Sequence, residues 1–132
     1  PMLAAFPLLQ VTAVDVDPIR VRDLRAVREG GVERLSVVEG DVGALPLPDR
    51  SADVVTMLEV LEHLPEPARA ARRILAVARK AVIVSVPSKE DDNPEHIHLF
   101  DSRSLTALLE AGGAKKVRIE YVLNHLIALA TP

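Results

Sequence analysis

Four apolar runs, each stopped by a polar or turn residue and separated from the next by enough chain for a helix or a long loop, constrain this sequence most. Gln10 to Asp17 is apolar and β-branched until it meets two aspartates and Pro18, which suits a strand buried on both faces. Leu35 to Glu39 (LSVVE) and Asp53 to Leu58 (DVVTML) read as the second and third strands, and Lys80 to Pro87 (KAVIVSVP) as an unbroken fourth. Asp17 is placed to cap a helix that Pro18 opens, with Ile19, Leu24 and Val27 at roughly helical spacing until Gly30 and Gly31. Glu66 to Arg79, entered through Pro65 and Pro67, sets alanines, Ile74 and Leu75 on one side and most arginines elsewhere, an amphipathic helix. After the polar loop from Ser88 to Asn93, Asp101 or Ser102 caps a helix with Leu105, Leu108 and Leu109 inward, ended by Gly112 and Gly113. The last two strands, Lys116 to Tyr121 and His125 to Ala130, are joined so tightly that they must pair antiparallel. The expected fold is α/β: a doubly wound, mostly parallel sheet with a C-terminal antiparallel hairpin.

At 132 residues and 48% hydrophobic content, a single domain over residues 1–132 is expected. No apolar run reaches the length of a membrane span, and no basic-then-apolar leader opens the chain. The expectation is therefore a cytoplasmic protein with no membrane partner. The lack of cysteine excludes disulfides, iron–sulfur clusters and thiolate metal sites, and a net charge of -3 provides no global attraction to nucleic acid.

Ligands of doubly wound sheets bind beyond the carboxyl ends of the strands, which directs attention to Asp15, Asp41, Glu59 and Pro87. A carboxylate at a strand end can accept from the two vicinal hydroxyls of a ribose, a role that suits Asp15, whereas Asp17 fits the helix cap. Asp41 is placed to accept from an exocyclic amine such as adenine N6, with the Val42 N–H able to reach a ring nitrogen and Gly40 allowing close approach.

The segments VTAVDVDP, VVEGDVGALPLPDRSADVVTMLEVLEHLPEP, KAVIVSVPS and HIHLFDSRSLTALLEAGGA, in that order, resemble a class I S-adenosylmethionine-dependent methyltransferase of the small-molecule, ubiquinone-biosynthesis-like branch. The resemblance implies a Rossmann-like methyltransferase sheet, S-adenosyl-L-methionine as cofactor and a small-molecule methyl acceptor. It makes Asp15 the ribose acid and Asp41 with Val42 the adenine contact, and it sets Met57, Leu58 and Glu59 beneath the methionine portion. The family's first strand and glycine-rich loop would precede Pro1, since PMLAAFPLLQ resembles the end of the helix that follows that loop. An N-terminally truncated chain is therefore expected, inactive alone and self-associating through exposed sheet edges. A non-catalytic binding module of the same fold is the alternative.

LEVLEHL places Glu59, Glu62 and His63 within five positions, and HIHLF adds His96 and His98. In a group of RNA 2′-O-methyltransferases of this fold, E-x-x-E-H with a distant histidine holds a divalent metal, which nominates Glu59, Glu62, His63 and one of His96 or His98, with His98 put first, as candidate ligands. The same run also occurs through the metal-free small-molecule branch, and no metal is the expectation. His63 and His98 are the candidate general bases, since a near-neutral imidazole suits that task. His98 is chosen over His96 because it adjoins Leu99 and Phe100, both expected to plug the core.

Overall fold

The computed structural model describes residues 2–89 and 92–132. The chain forms two compact units, Pro1–Leu45 and Pro46–Pro132.

In the first unit a short helix α1 (Met2–Ala5) precedes strand β1 (Val11–Asp15), helix α2 (Pro18–Glu29) and strand β2 (Leu35–Glu39). The two strands pair in parallel, from Val11 opposite Leu35 to Asp15 opposite Glu39, with α2 as the crossover. Asp17 caps α2 by accepting from the Ile19 N–H at 2.8 Å, and Pro18 takes the first turn, where its missing donor costs nothing. Gly31, with φ at +110°, turns the chain out of the helix. One side chain ties down the N-terminal segment. The Arg34 guanidinium donates to the carbonyls of Leu3, Phe6 and Leu9 at 2.6, 2.9 and 3.0 Å, joining the four-residue helix and the turn after it to the start of β2.

The second unit holds β3 (Ala52–Leu58), α3 (Pro67–Val77), β4 (Ala78–Pro87), α4 (Ser102–Ala111), β5 (Lys116–Val122) and β6 (His125–Thr131). Its sheet runs β3-β4-β6-β5: β3 and β4 are parallel, and β6 is antiparallel to both its neighbours and so is the one reversed strand. The mostly parallel α/β architecture with a C-terminal antiparallel hairpin is the one expected. Register places Val82, Val84 and Val86 directly opposite Ala130, Ala128 and Leu126, and all six are fully buried. Helices α3 and α4 pack side by side against the sheet, contributing Ile74, Leu75, Leu105 and Leu109 to the core. Gly112 makes the close approach of these helices possible, because a Cβ there would meet Leu75 Cδ1 at 2.9 Å.

Three expectations change. Strand patterning suggested burial on both faces, yet Val54, Leu58 and Leu129 are exposed and no residue of β1 is fully buried. In the second unit burial alternates along β6, where Leu126, Ala128 and Ala130 are buried, as the two-residue period of a strand requires. Helix α3 ends at Val77 rather than Arg79, because Ala78 already pairs with Ala52 in the β3–β4 ladder. Leu99 is 52% exposed; of the two residues expected to plug the core, only Phe100 is buried.

Candidate functional site

In the first unit Asp15 stands at the carboxyl end of β1 and Asp41 just beyond β2. The Asp17 N–H donates to Asp15 Oδ1 at 2.9 Å, which fixes the carboxylate, and Oδ2 lies 3.8 Å from the exposed Arg20 guanidinium. Asp41 accepts from the Gly43 N–H at 2.9 Å and caps the 3₁₀ turn Val42–Ala44. Both aspartates are thus held by local backbone donors, as short acidic side chains at strand ends commonly are.

In the second unit the end of β3 presents Met57, Leu58 and Glu59. Met57 is buried and Leu58 is exposed. Glu59 adopts φ of +54°, and its N–H donates to the Ser85 carbonyl at 3.0 Å and the Ser85 hydroxyl at 3.2 Å. The Ser85 hydroxyl in turn donates to Glu59 Oε1 at 2.5 Å, while His125 Nε2 lies 3.3 Å from Glu59 Oε2. Sequence reasoning missed Ser85 and His125. The available signal was a hydroxyl inside an otherwise apolar strand; His125 needed the β4–β6 register, which sets it opposite Pro87.

Beyond β3 the chain makes a 3₁₀ turn, Leu61–His63, and meets the segment 95–98. The Glu62 carbonyl accepts from the N–H groups of Ile97 at 2.9 Å and His98 at 3.2 Å, clamping the two together. The Glu62 side chain is fully buried, and among the described residues neither of its carboxylate oxygens has a hydrogen-bond partner. Burial pushes its carboxyl above the ordinary range, and the neighbouring Glu59 charge adds to the rise, while its own peptide N–H and the imidazoles of His63 and His96 pull part of the way back. His63 Nδ1 is 3.0 Å from the Glu95 carbonyl, and its ring meets that of His96 edge-on with centroids 4.7 Å apart. His98 Nε2 is 2.9 Å from the Leu64 carbonyl, and its ring tilts over Phe100.

The residues nominated as metal ligands are therefore not gathered as their spacing suggested. Glu62 and His63 come together with His96, one ligand atom from each lying within 4.8 Å of the others. Glu59 turns to Ser85 and His125, and His98 to Leu64.

Residues 1–86 match the model of the methyltransferase domain family. A Mycobacterium tuberculosis protein named "Probable S-adenosylmethionine-dependent methyltransferase" is 34% identical over 114 residues, covering 79% of this chain and 40% of that protein. The chain thus spans about two fifths of the length of that curated relative. Among solved structures, PigF with SAH superposes with a TM-score of 0.79 at 20% identity, over 99% of this chain and 46% of that one. The [4+2]-cyclase SpnF superposes with a TM-score of 0.72 at 18% identity, over 93% and 65%. At such identities the structural likeness speaks for the fold alone.

Proposed function

Because the chain belongs to the class I S-adenosylmethionine-dependent methyltransferases through its methyltransferase domain, we propose that it serves methyl transfer from S-adenosylmethionine to a small-molecule acceptor in the cytoplasm. The observation that carries the reading is Asp15. Its carboxylate is held at the end of a parallel strand by one backbone N–H, and a carboxylate has about four lone-pair sites, so acceptor capacity remains for two ribose hydroxyls. In the same unit Asp41 and Val42 would take the adenine edge. When bound, the cofactor supplies a methyl group made electrophilic by its sulfonium.

What the chain supplies is binding and alignment, together with a base where the acceptor arrives protonated. A carbonyl can only accept, so the contact with Glu95 places the His63 proton on Nδ1 and leaves Nε2 as the basic nitrogen. The same logic puts the His98 proton on Nε2, toward Leu64, and leaves Nδ1 to act. A net charge of -3 favours a small acceptor over a nucleic acid.

Calorimetric titration with S-adenosylmethionine tests the reading. Asp15→Ala should weaken binding by about 1–3 kcal/mol, the range for a lost charged hydrogen bond, and leave thermal unfolding nearly unchanged. Undiminished affinity in that variant removes Asp15 from the site. Labelled-methyl transfer to RNA but to no small phenol, amine or acid would overturn the acceptor class, and binding without any transfer would favour a non-catalytic module.

A further inference from the structure

We propose that Glu62, His63 and His96 form a binding site for one borderline divalent metal ion of the Zn²⁺ or Co²⁺ type. Each offers one ligand atom, and the three lie within 4.8 Å of one another. The set keeps Glu62, His63 and one of the two nominated histidines, His96, and leaves out Glu59.

The first support is the state of Glu62. A fully buried carboxylate with neither oxygen hydrogen-bonded among the described residues is an arrangement that proteins avoid unless a cation or a proton completes it. The second is the orientation of His63. Its Nδ1–H is spent on the Glu95 carbonyl, so in the neutral ring the nitrogen turned toward Glu62 carries a lone pair. That nitrogen, Nε2, lies 3.8 Å from Glu62 Oε1, too far for a hydrogen bond. With the ring neutral these are two acceptors facing each other, and a cation between them turns the repulsion into coordination. A ring N–H fixed on a backbone carbonyl is also how metal-ligating histidines are commonly oriented.

Distances fit with small adjustments. Zinc bonds of about 2.0–2.2 Å set tetrahedral ligands roughly 3.3–3.6 Å apart, and the part-exposed imidazoles of His63 and His96 can close the difference by side-chain rotation. The supporting backbone is already assembled by the bonds from Ile97 and His98 to the Glu62 carbonyl, so little ordering is left to offset on binding. Two nitrogens and one carboxylate select a borderline ion, whereas Mg²⁺ and Ca²⁺ demand oxygen. With the ion on Nε2 of His63, the role of base passes to His98.

The inference is independent of the methyl-transfer reading, and its test uses no methyl donor. The full chain, free of any polyhistidine tag and stripped with chelator, is titrated with Zn²⁺, Co²⁺ and Mg²⁺ while heat and, for Co²⁺, visible ligand-field absorption are followed. One equivalent of Zn²⁺ should bind, Co²⁺ should develop bands that Zn²⁺ abolishes, and Mg²⁺ should give no response. Glu62→Gln and His96→Ala should each weaken Zn²⁺ binding more than about 100-fold, beyond the range of an outer-shell change. His96→Ala alters a part-exposed loop and keeps the buried carboxylate, so it reads the site even if Glu62→Gln does not fold. No stoichiometric uptake by the wild type would mean that a proton completes Glu62 and would overturn the proposal, as would uptake unchanged in either folded variant.

Discussion

Glu59 is held at φ +54°, a region that costs a residue with a side chain about 1–3 kcal/mol. What holds it there is Ser85, which bonds to both its N–H and its carboxylate. The bent backbone ends β3 abruptly and turns the carboxylate back toward β4 and toward His125 on β6. Glu59→Gly should therefore separate folding from binding. The bonds from the residue 59 N–H to Ser85 remain, relief of the strain offsets the lost bond from the Ser85 hydroxyl to the carboxylate, and the unfolding free energy should move by less than about 1 kcal/mol in urea titrations. Affinity for S-adenosylmethionine should fall about tenfold, or ~1.4 kcal/mol, by calorimetry. A large loss of stability with full affinity would assign Glu59 to the fold instead of the ligand.

At the scale of the element, α4 shows how a helix end writes itself into a pH profile. Asp101 accepts from the Ser104 N–H at 2.7 Å while the Ser104 hydroxyl accepts from the Asp101 N–H at 2.9 Å, a reciprocal capping box. The bonds from Ser104 hold the Asp101 carboxyl below its ordinary value of 3.8. A carboxyl that titrates lower in the folded chain contributes stability that is present above the unfolded value and lost as pH falls through the folded one. Asn caps helices about as well as Asp but does not titrate. Thermal melts of the wild type and Asp101→Asn should accordingly converge as pH drops below about 3.8. A difference that stays constant down the acid limb would show that the carboxylate charge is not what the cap uses.

For the whole molecule, the pattern of strand pairing matters most. Among the described residues β1 has β2 as its sole strand partner, and β3 has only β4. Each strand thus has a ladder edge with no strand on it, and Val54 and Leu58 of β3 are exposed apolar side chains. Unpaired edges of this kind recruit strands from other copies, and a net charge of -3 opposes association only weakly. Light scattering over a dilution series should show mass rising with concentration; a constant monomer mass would rule the edges out as contacts. Among the described residues no helix is long and apolar enough to cross a membrane.

The elements themselves were legible in the sequence because their signals are local. Asp17 with Pro18 announces α2 through a cap and a missing N–H, Gly112 and Gly113 end α4, and the brevity of the link before His125 forces an antiparallel pair. The strand-end aspartates were legible for the same reason, being set by position along the chain. Tertiary structure alone decided what crosses between elements. Ser85, Glu59 and His125 lie on β4, the end of β3 and β6, and they meet because β6 inserts between β4 and β5 in an order the chain does not follow. Segment 93–101 has no repeating backbone period to say which side chains turn inward. Phe100 rather than Leu99 is the buried one, and it is the His96 ring, not the His98 ring, that stands at the Glu62 carboxylate.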